Sequence, residues 1–291
     1  MQPVKIIGVA SGWGSPDRGC GDGPDALREA GLVTRLITRK IDISWGETFF
    51  PAAGKTSPPA VIPELCKRLA QKTAEVIHGG AFPLVIGGDH SCAVGTWSGA
   101  WLALRSKGPL GLIWIDAHMD SHTPETSPSG ALHGMPLAVL MGYGEPSLTN
   151  LIEPCPKLLP QHLCLVGVRS YEEGEAKLLT RLGVRVFFAE EVERRGLAAV
   201  MEEAVNIARK GTAGFGLSID LDAINPRESP GVGTPAADGL HASSLIQALR
   251  PLHGTPDLIT VELAEYNPYR DRGGLTAHQA EGILAALFAP R

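Results

Sequence analysis

Aspartate and histidine residues are grouped at three places in this sequence in a way that suits metal binding. The groups occupy Gly87–Ser91, Asp116–Asp120 and Ser218–Asp222. They supply six potential ligands, namely His90, Asp116, His118, Asp120, Asp220 and Asp222. A set of carboxylates and imidazoles without a thiolate suits Mn²⁺ better than the Cys/His cage that is usual for zinc. The expected chemistry is hydrolytic attack by a metal-activated water on a planar electrophilic carbon.

Two divalent ions fit this ligand set better than one. Its four carboxylates carry a charge of −4, which two divalent cations would balance and which would otherwise be strongly repulsive. Each group follows an apolar segment, and side chains in extended backbone alternate faces with period two. This alternation predicts that Asp116, His118 and Asp120 project together, as do Asp220 and Asp222. An isolated Asp-x-Asp is more often a turn or a helix cap, but the combination of groups favours a metal site.

Short apolar segments alternate with longer segments of helical periodicity. The predicted strands are Val4–Ala10, Pro83–Gly88, Leu110–His118, His162–Arg169, Val184–Ala189, Gly214–Asp222 and Leu258–Tyr266. The predicted helices are Gly23–Thr38, Pro63–His78, Ser91–Ser106, Glu175–Leu182, Leu197–Lys210, His241–Leu252 and Thr276–Phe288. Gly46–Pro59 and His122–Gly134 are predicted long loops. The alternation predicts a three-layer α/β sandwich with a central, mostly parallel sheet flanked by helices.

Composition limits the class of protein further. The 291 residues lack an internal repeat or a low-complexity linker, so we expect one domain spanning residues 1–291. A net charge of −5 argues against a nucleic-acid partner. Five scattered cysteines without a C-x-x-C pair indicate reduced thiols. The sequence shows neither a signal peptide nor an apolar run of about 20 residues, so we expect a cytoplasmic protein without a membrane partner.

The three groups resemble signatures of the ureohydrolase superfamily, which comprises arginases, agmatinases and related amidinohydrolases. Arg18–Arg28 is similar to the N-terminal segment of arginases, and Glu265–Pro268 is similar to their late Glu-x-Asn-Pro motif. The resemblance covers nearly the whole chain and is closest in wording to arginase. It implies an arginase-like fold, two Mn²⁺ ions per subunit and a homo-oligomer, either a trimer or a hexamer.

The resemblance also implies roles for individual residues. One Mn²⁺ would be bound by His90, Asp116, Asp120 and Asp220, and the other by Asp116, His118, Asp220 and Asp222. A hydroxide bridging the ions would attack a guanidinium carbon, with Asp120 accepting a hydrogen bond from it. Glu265 would pair with the guanidinium group, which is a planar fork matched to a carboxylate. His133 would carry a proton to the leaving amine.

The identity of the guanidino substrate depends on a different set of residues. In the resemblance, the residues that would contact the rest of the substrate are His122, Ser129, Glu172 and Glu175. His122 and Ala131 stand where arginases usually have asparagines, and Ser170 stands where an aspartate usually follows the arginine. The loop Ser127–Pro136 nevertheless looks more like that of arginases than that of agmatinases. We therefore expect hydrolysis of L-arginine or a close analogue to urea and ornithine or the corresponding amine. The alternatives are an agmatinase, a guanidino-acid amidinohydrolase, a formimidoylglutamase or a non-catalytic metal-binding relative.

Overall fold

The computed structural model describes residues 2–290, and within that range eight strands form one parallel sheet. The strands are β1 (Val4–Val9), β2 (Ile43–Phe49), β3 (Phe82–Gly87), β4 (Leu110–Ile115), β5 (Leu163–Val168), β6 (Arg185–Phe188), β7 (Gly214–Asp220) and β8 (Leu258–Ala264). Their order across the sheet is β2-β1-β3-β8-β7-β4-β5-β6. The four strands β3, β8, β7 and β4 are therefore neighbours, so their carboxyl ends meet at one edge of the sheet.

Helices cover both faces of this sheet. They are α1 (Gly23–Glu29), α2 (Leu32–Thr38), α3 (Pro58–His78), α4 (Ala93–Leu104), α5 (Pro136–Leu140), α6 (Pro146–Thr149), α7 (Glu173–Leu182), α8 (Ala189–Arg195), α9 (Leu197–Arg209), α10 (Ala242–Leu249) and α11 (Leu275–Phe288). Every residue of β3, β4, β5 and β7 is buried, as expected for parallel strands covered on both faces. The predicted three-layer α/β fold with a parallel sheet is confirmed.

Two predictions of local structure were wrong. The predicted loop Gly46–Pro59 contains the second half of β2, and α3 begins at Pro58. β2 is an edge strand with exposed polar residues and a glycine, so its apolar pattern is weak. The single helix predicted over Gly23–Thr38 is two helices, because Gly31 between them has a φ of 80° in the left-handed region.

Close packing of α3 against α4 fixes the helix that follows the first group of candidate ligands. A Cβ atom on Gly99 would lie 2.4 Å from the carbonyl oxygen of Ala70, so only glycine allows the two backbones to approach this closely. α4 begins at Ala93, three residues after His90. The packing therefore fixes the position of α4, the helix that directly follows the segment carrying His90.

Two further features of residues 2–290 concern membrane-spanning helices and cysteines. No helix within residues 2–290 is long and apolar enough to cross a bilayer. Each of the five cysteines in that range is free, and four of them are buried.

Candidate metal centre and active site

His90 lies at the centre of the site, immediately after β3. The side chain of Asp89 accepts the backbone N–H of Ser91 at 3.0 Å and so forms the turn that carries His90. The His90 ring stacks on Trp114 at a centroid distance of 4.1 Å and is almost completely buried. Its Nε2 lies 2.9 Å from Oγ of Ser218, which in turn donates to Oε1 of Glu262 at 2.8 Å. These contacts hold the ring with Nδ1 facing the carboxylates.

The Nδ1 atom of His90 is an unsatisfied buried polar atom. It lies 3.1 to 3.2 Å from one carboxylate oxygen of each of Asp116, Asp120 and Asp220. None of the described residues forms a hydrogen bond with it, because the geometry of these contacts is unsuitable. A buried imidazole nitrogen surrounded by carboxylate oxygens but without a hydrogen bond is the environment expected of a metal ligand.

A second group of potential ligands adjoins the first. His118 Nδ1 lies 3.1 Å from Oδ2 of Asp222 and 3.5 Å from Oδ1 of Asp116. The structure thus forms two sets of three side chains whose ligand atoms lie within 4.8 Å of one another, and Asp116 belongs to both. The sets are His90, Asp116 and Asp220, and Asp116, His118 and Asp222.

Turns rather than strand alternation bring these ligands together. β4 ends at Ile115 and β7 ends at Asp220. The ligands that follow these strands therefore do not lie in the extended backbone that the prediction assumed. Asp116 instead accepts the backbone N–H of His118 at 2.7 Å, and Asp220 accepts that of Asp222 at 2.8 Å. Asp120 has a φ of 45°, which is rare for a residue other than glycine. The prediction that period-two alternation aligns these side chains was therefore wrong, although the side chains do converge.

Burial of so many carboxylates is unfavourable without a counter-charge. Burial, followed by the charges of Asp222 and Asp116, raises the pKa of Asp220 well above its usual range. Burial and the charge of Asp116 raise the pKa of Asp222 to about 6, although His118 opposes this shift. Bound cations would relieve this repulsion. The donor set therefore fits divalent metal ions.

Glu265 and His133 form a pair beside the two ligand sets. Oε1 of Glu265 accepts the backbone N–H of His90 at 2.9 Å and lies 3.0 Å from Nδ1 of His133. Burial alone would lower the pKa of His133, but the hydrogen bond and charge of Glu265 raise it to about 9. Despite burial, the same contact lowers the pKa of Glu265. The pair is therefore an imidazolium and a carboxylate at neutral pH.

His122, Glu172 and Glu175 form a second acid–histidine cluster at the mouth of the site. His122 Nε2 lies 2.9 Å from Oε2 of Glu172 and 3.3 Å from Oε2 of Glu175. The two glutamates also form the capping box at the start of α7. Glu175 is buried, and this burial raises its pKa to about 8. Ser129 is exposed on the neighbouring loop, where its Oγ accepts the backbone N–H of Ala131 at 3.2 Å.

One cavity of about 210 Å³ joins these clusters. The predicted site residues that line it are His118, Asp120, His122, Ser129, His133, Glu172, Glu175, Asp220, Asp222 and Glu265. His90 and Asp116 lie beneath its floor, since both are buried and neither lines the cavity. The structure therefore brings together all the predicted site residues.

Sequence reasoning assigned no role to several residues that support or line this site, although Ser218 and Glu262 lie in segments rich in acidic residues at the ends of predicted strands. Trp114, Ser218 and Glu262 hold potential ligands in place, and Thr234 lines the cavity. In a single sequence, a serine or tryptophan that supports a metal ligand cannot be distinguished from any other serine or tryptophan in an apolar strand. Glu262 was noticeable because it is a charged residue within an apolar strand. Such a position predicts burial, and the structure shows that Glu262 is fully buried.

Comparison with known proteins agrees with the fold and the site. The family model described as the Arginase family matches residues 2–289. The chain therefore belongs to the arginase family, a family of metal-dependent hydrolases, and the predicted enzyme class of amidinohydrolase is confirmed.

Individual relatives are similar over their full length. The chain is 38% identical to the arginase of Bacillus caldovelox, with 100% of this chain and 99% of the relative covered. It is 37% identical to the arginase of Brevibacillus brevis, with 99% and 98% covered. The crystal structure of the Bacillus caldovelox arginase superposes with a TM-score of 0.94 over 100% of this chain and 99% of that one.

Proposed function

We propose that this protein is an arginase that hydrolyses the guanidinium group of L-arginine, or a close analogue, to urea and ornithine or the corresponding amine. The observation that carries the proposal is the placement of two overlapping ligand sets beside the Glu265–His133 pair in one cavity. The arginases of Bacillus caldovelox and Brevibacillus brevis, to which the chain is similar along its whole length, bear the name of this activity.

Two Mn²⁺ ions per subunit are the cofactor that we propose. His90, Asp116, Asp120 and Asp220 would hold one ion. Asp116, His118, Asp220 and Asp222 would hold the other. The orphaned Nδ1 of His90 and the hard oxygen donors support this assignment. When bound, such a pair of ions supplies Lewis acidity and lowers the pKa of water towards neutrality.

Glu265 is proposed to bind and orient the guanidinium group. A carboxylate matches the fork of N–H donors on a guanidinium, and Glu265 lines the cavity between His133 and the ligand sets. Its pKa is lowered, so it carries the negative charge that this role requires. Asp120, whose carboxylate also lines the cavity, would accept a hydrogen bond from the attacking water.

His133 is proposed to donate the proton that the leaving amine needs. Its Nδ1 is engaged by Glu265, so Nε2 is the nitrogen available to the cavity. A pKa of about 9 keeps the ring protonated at neutral pH. The Glu265 carboxylate thus orients the guanidinium and keeps a proton on His133 beside it.

The mouth of the cavity is proposed to recognise the far end of the substrate. Glu172 and Glu175 place carboxyl groups there, which suits an ammonium group, and Ser129 offers a hydroxyl. His122 occupies part of the same region by bonding to Glu172. These contacts support a substrate that carries an amino group at the end opposite its guanidinium, as L-arginine and agmatine both do.

The test is a substrate panel offered to Mn²⁺-loaded protein, with urea and formamide both measured. We expect more urea from L-arginine than from agmatine, because the relatives to which the chain is similar are arginases. Urea from agmatine but not from arginine would contradict the substrate assignment while leaving the enzyme class intact. No product from any guanidino or formimino compound would contradict the enzyme proposal. Full activity with two bound ions in His118→Ala would contradict the ligand assignment.

Three further properties are proposed. A single domain over residues 1–291 is supported by the continuous sheet. A cytoplasmic location is supported by the free cysteines within residues 2–290. A homo-oligomer, either a trimer or a hexamer, rests on resemblance to the family alone. Size-exclusion chromatography with light scattering would test the last of these.

A further inference from the structure

A cysteine thiol contacts Glu265 from the side of the protein core. Cys20 lies in the short 3₁₀ helix Arg18–Asp22 and is completely buried. Its Sγ lies 3.1 Å from Oε2 of Glu265 and 3.5 Å from the carbonyl oxygen of the same residue. Because Oε1 is already bonded to His90 and His133, the thiol is the donor that reaches the other carboxylate oxygen.

The surroundings of this contact leave little freedom to either side chain. Glu265 has a φ of 65°, a backbone conformation that residues other than glycine seldom adopt. A Cβ atom on Gly233 would lie 2.3 Å from Oε2 of Glu265 and 3.0 Å from Sγ of Cys20. The backbone at Gly233 therefore approaches both groups as closely as a glycine permits.

We propose that Cys20 is a positioning residue whose S–H group fixes the plane of the Glu265 carboxylate for guanidinium binding. This inference rests on the proposed function. A thiol is a weak donor, so it can orient Oε2 without competing strongly with the N–H groups of a substrate for the remaining lone pair.

The Cys20 thiol keeps its proton and therefore remains a hydrogen-bond donor. Burial, followed by the negative charge of Glu265, raises the pKa of Cys20 far above its ordinary range. The thiol is therefore protonated at neutral pH, and it is inaccessible to solvent. Its role is thus to donate a hydrogen bond rather than to act as a nucleophile.

Steady-state kinetics on Mn²⁺-loaded variants test the proposal. We expect Cys20→Ala to raise KM for the guanidino substrate roughly 3- to 10-fold, with kcat within about twofold, because one weak hydrogen bond to a charged group is lost. Cys20→Ser should restore KM, since a hydroxyl can donate to the same oxygen. Cys164→Ala is the matched control, because Cys164 is equally buried but contacts Ala204 in α9, away from the site.

The kinetic result can contradict the proposal in two ways. An unchanged KM in Cys20→Ala with normal metal content would show that the thiol does not position Glu265. A rise in KM that Cys20→Ser fails to reduce, or that Cys164→Ala reproduces, would show a packing effect instead.

Infrared spectroscopy of the S–H stretch provides a readout that does not depend on turnover. The spectrum of the parent minus that of Cys20→Ala should contain an S–H band at the lowered frequency of a hydrogen-bonded thiol. We expect this band to shift in Glu265→Gln. A band of Cys20 that is insensitive to Glu265→Gln would contradict the contact itself. If the parent protein releases no urea, the proposed function fails, and this band still decides whether Cys20 holds Glu265.

Discussion

The Nδ1 atom of His133 lies 3.0 Å from Oε1 of Glu265, and that same oxygen accepts the backbone N–H of His90. This one carboxylate oxygen therefore links the protonated imidazole of His133 to the backbone of His90. His90 lies just before α4, and its side chain is a potential metal ligand. This arrangement places a charged donor, a guanidinium-binding carboxylate and the ligand sets in fixed relative positions.

Replacement of His133 should separate catalysis from metal binding. We expect His133→Asn to lower kcat by about 10²-fold or more, the usual contribution of general acid catalysis. Metal content should stay near that of the parent, because His133 belongs to neither ligand set. The measurement is kcat for urea release together with Mn²⁺ per chain. A variant that turns over at the parental rate would remove His133 from the mechanism.

The same pair predicts how stability depends on pH. Glu265 raises the pKa of His133 from its usual value of about 6.5 to about 9. Below about pH 6.5 the ring is protonated in both the folded and the unfolded chain, so the stabilisation is fully present. Between about pH 6.5 and 9 the unfolded chain loses the proton first, so the stabilisation declines as pH rises.

The predicted decline can be measured against a variant that lacks the imidazole. The free energy of unfolding of the parent minus that of His133→Asn should fall by about 3 kcal/mol at most across this window. Urea denaturation of both Mn²⁺-loaded proteins at several pH values gives the difference. A difference that is constant from pH 6 to pH 10 would argue against the raised pKa.

Replacement of Ser218 should change the affinity for Mn²⁺, although Ser218 is not itself a proposed ligand. Its Oγ bridges Nε2 of His90 and Oε1 of Glu262, and such outer contacts orient the ligand and set its basicity. We expect Ser218→Ala to weaken Mn²⁺ binding about 10- to 100-fold in calorimetric titrations. Ser98→Ala is the control, because Ser98 is a buried serine of α4 whose hydroxyl has no partner among residues 2–290. Equal affinities of the two variants would show that the bridge has no influence.

Two glycine-to-alanine changes in helix interiors should have opposite effects on stability. Gly99→Ala places a methyl group 2.4 Å from the backbone oxygen of Ala70, so α3 and α4 must separate. We expect a loss of about 1–3 kcal/mol. In Gly282→Ala the nearest atom is the mobile end of Ile246, and the gain in helix propensity should leave stability equal or slightly higher. Thermal unfolding distinguishes them, and equal melting temperatures would contradict this account of the packing.

The sequence predicts the candidate ligands well because each group is short and contiguous. His90, Asp116 and Asp220 lie at the ends of neighbouring strands, so a parallel sheet was sufficient to bring them to one edge. The local backbone structure that brings these side chains together was harder to predict. The same spacing fits both strand alternation and the turns in which Asp116 and Asp220 accept the backbone N–H two residues further on, so the spacing alone did not decide between them.

Residues that come from distant segments were the main omission. Cys20 reaches Glu265 across most of the chain length, and the pairing depends on how the 3₁₀ helix Arg18–Asp22 packs against the residue that follows β8. β2 was missed for a related reason, since an edge strand is held by hydrogen bonds to β1 rather than by an apolar face of its own. Tertiary contacts, which single-sequence patterns do not contain, decide both features.

The most direct test of the account is to titrate metal-free protein with Mn²⁺ while urea release from L-arginine is measured. Asp116 belongs to both ligand sets, so filling the two positions is expected to be linked. The account predicts that activity rises with added Mn²⁺ and reaches its plateau at two ions per chain. A plateau at one ion per chain, or no urea at any Mn²⁺ content, would contradict it.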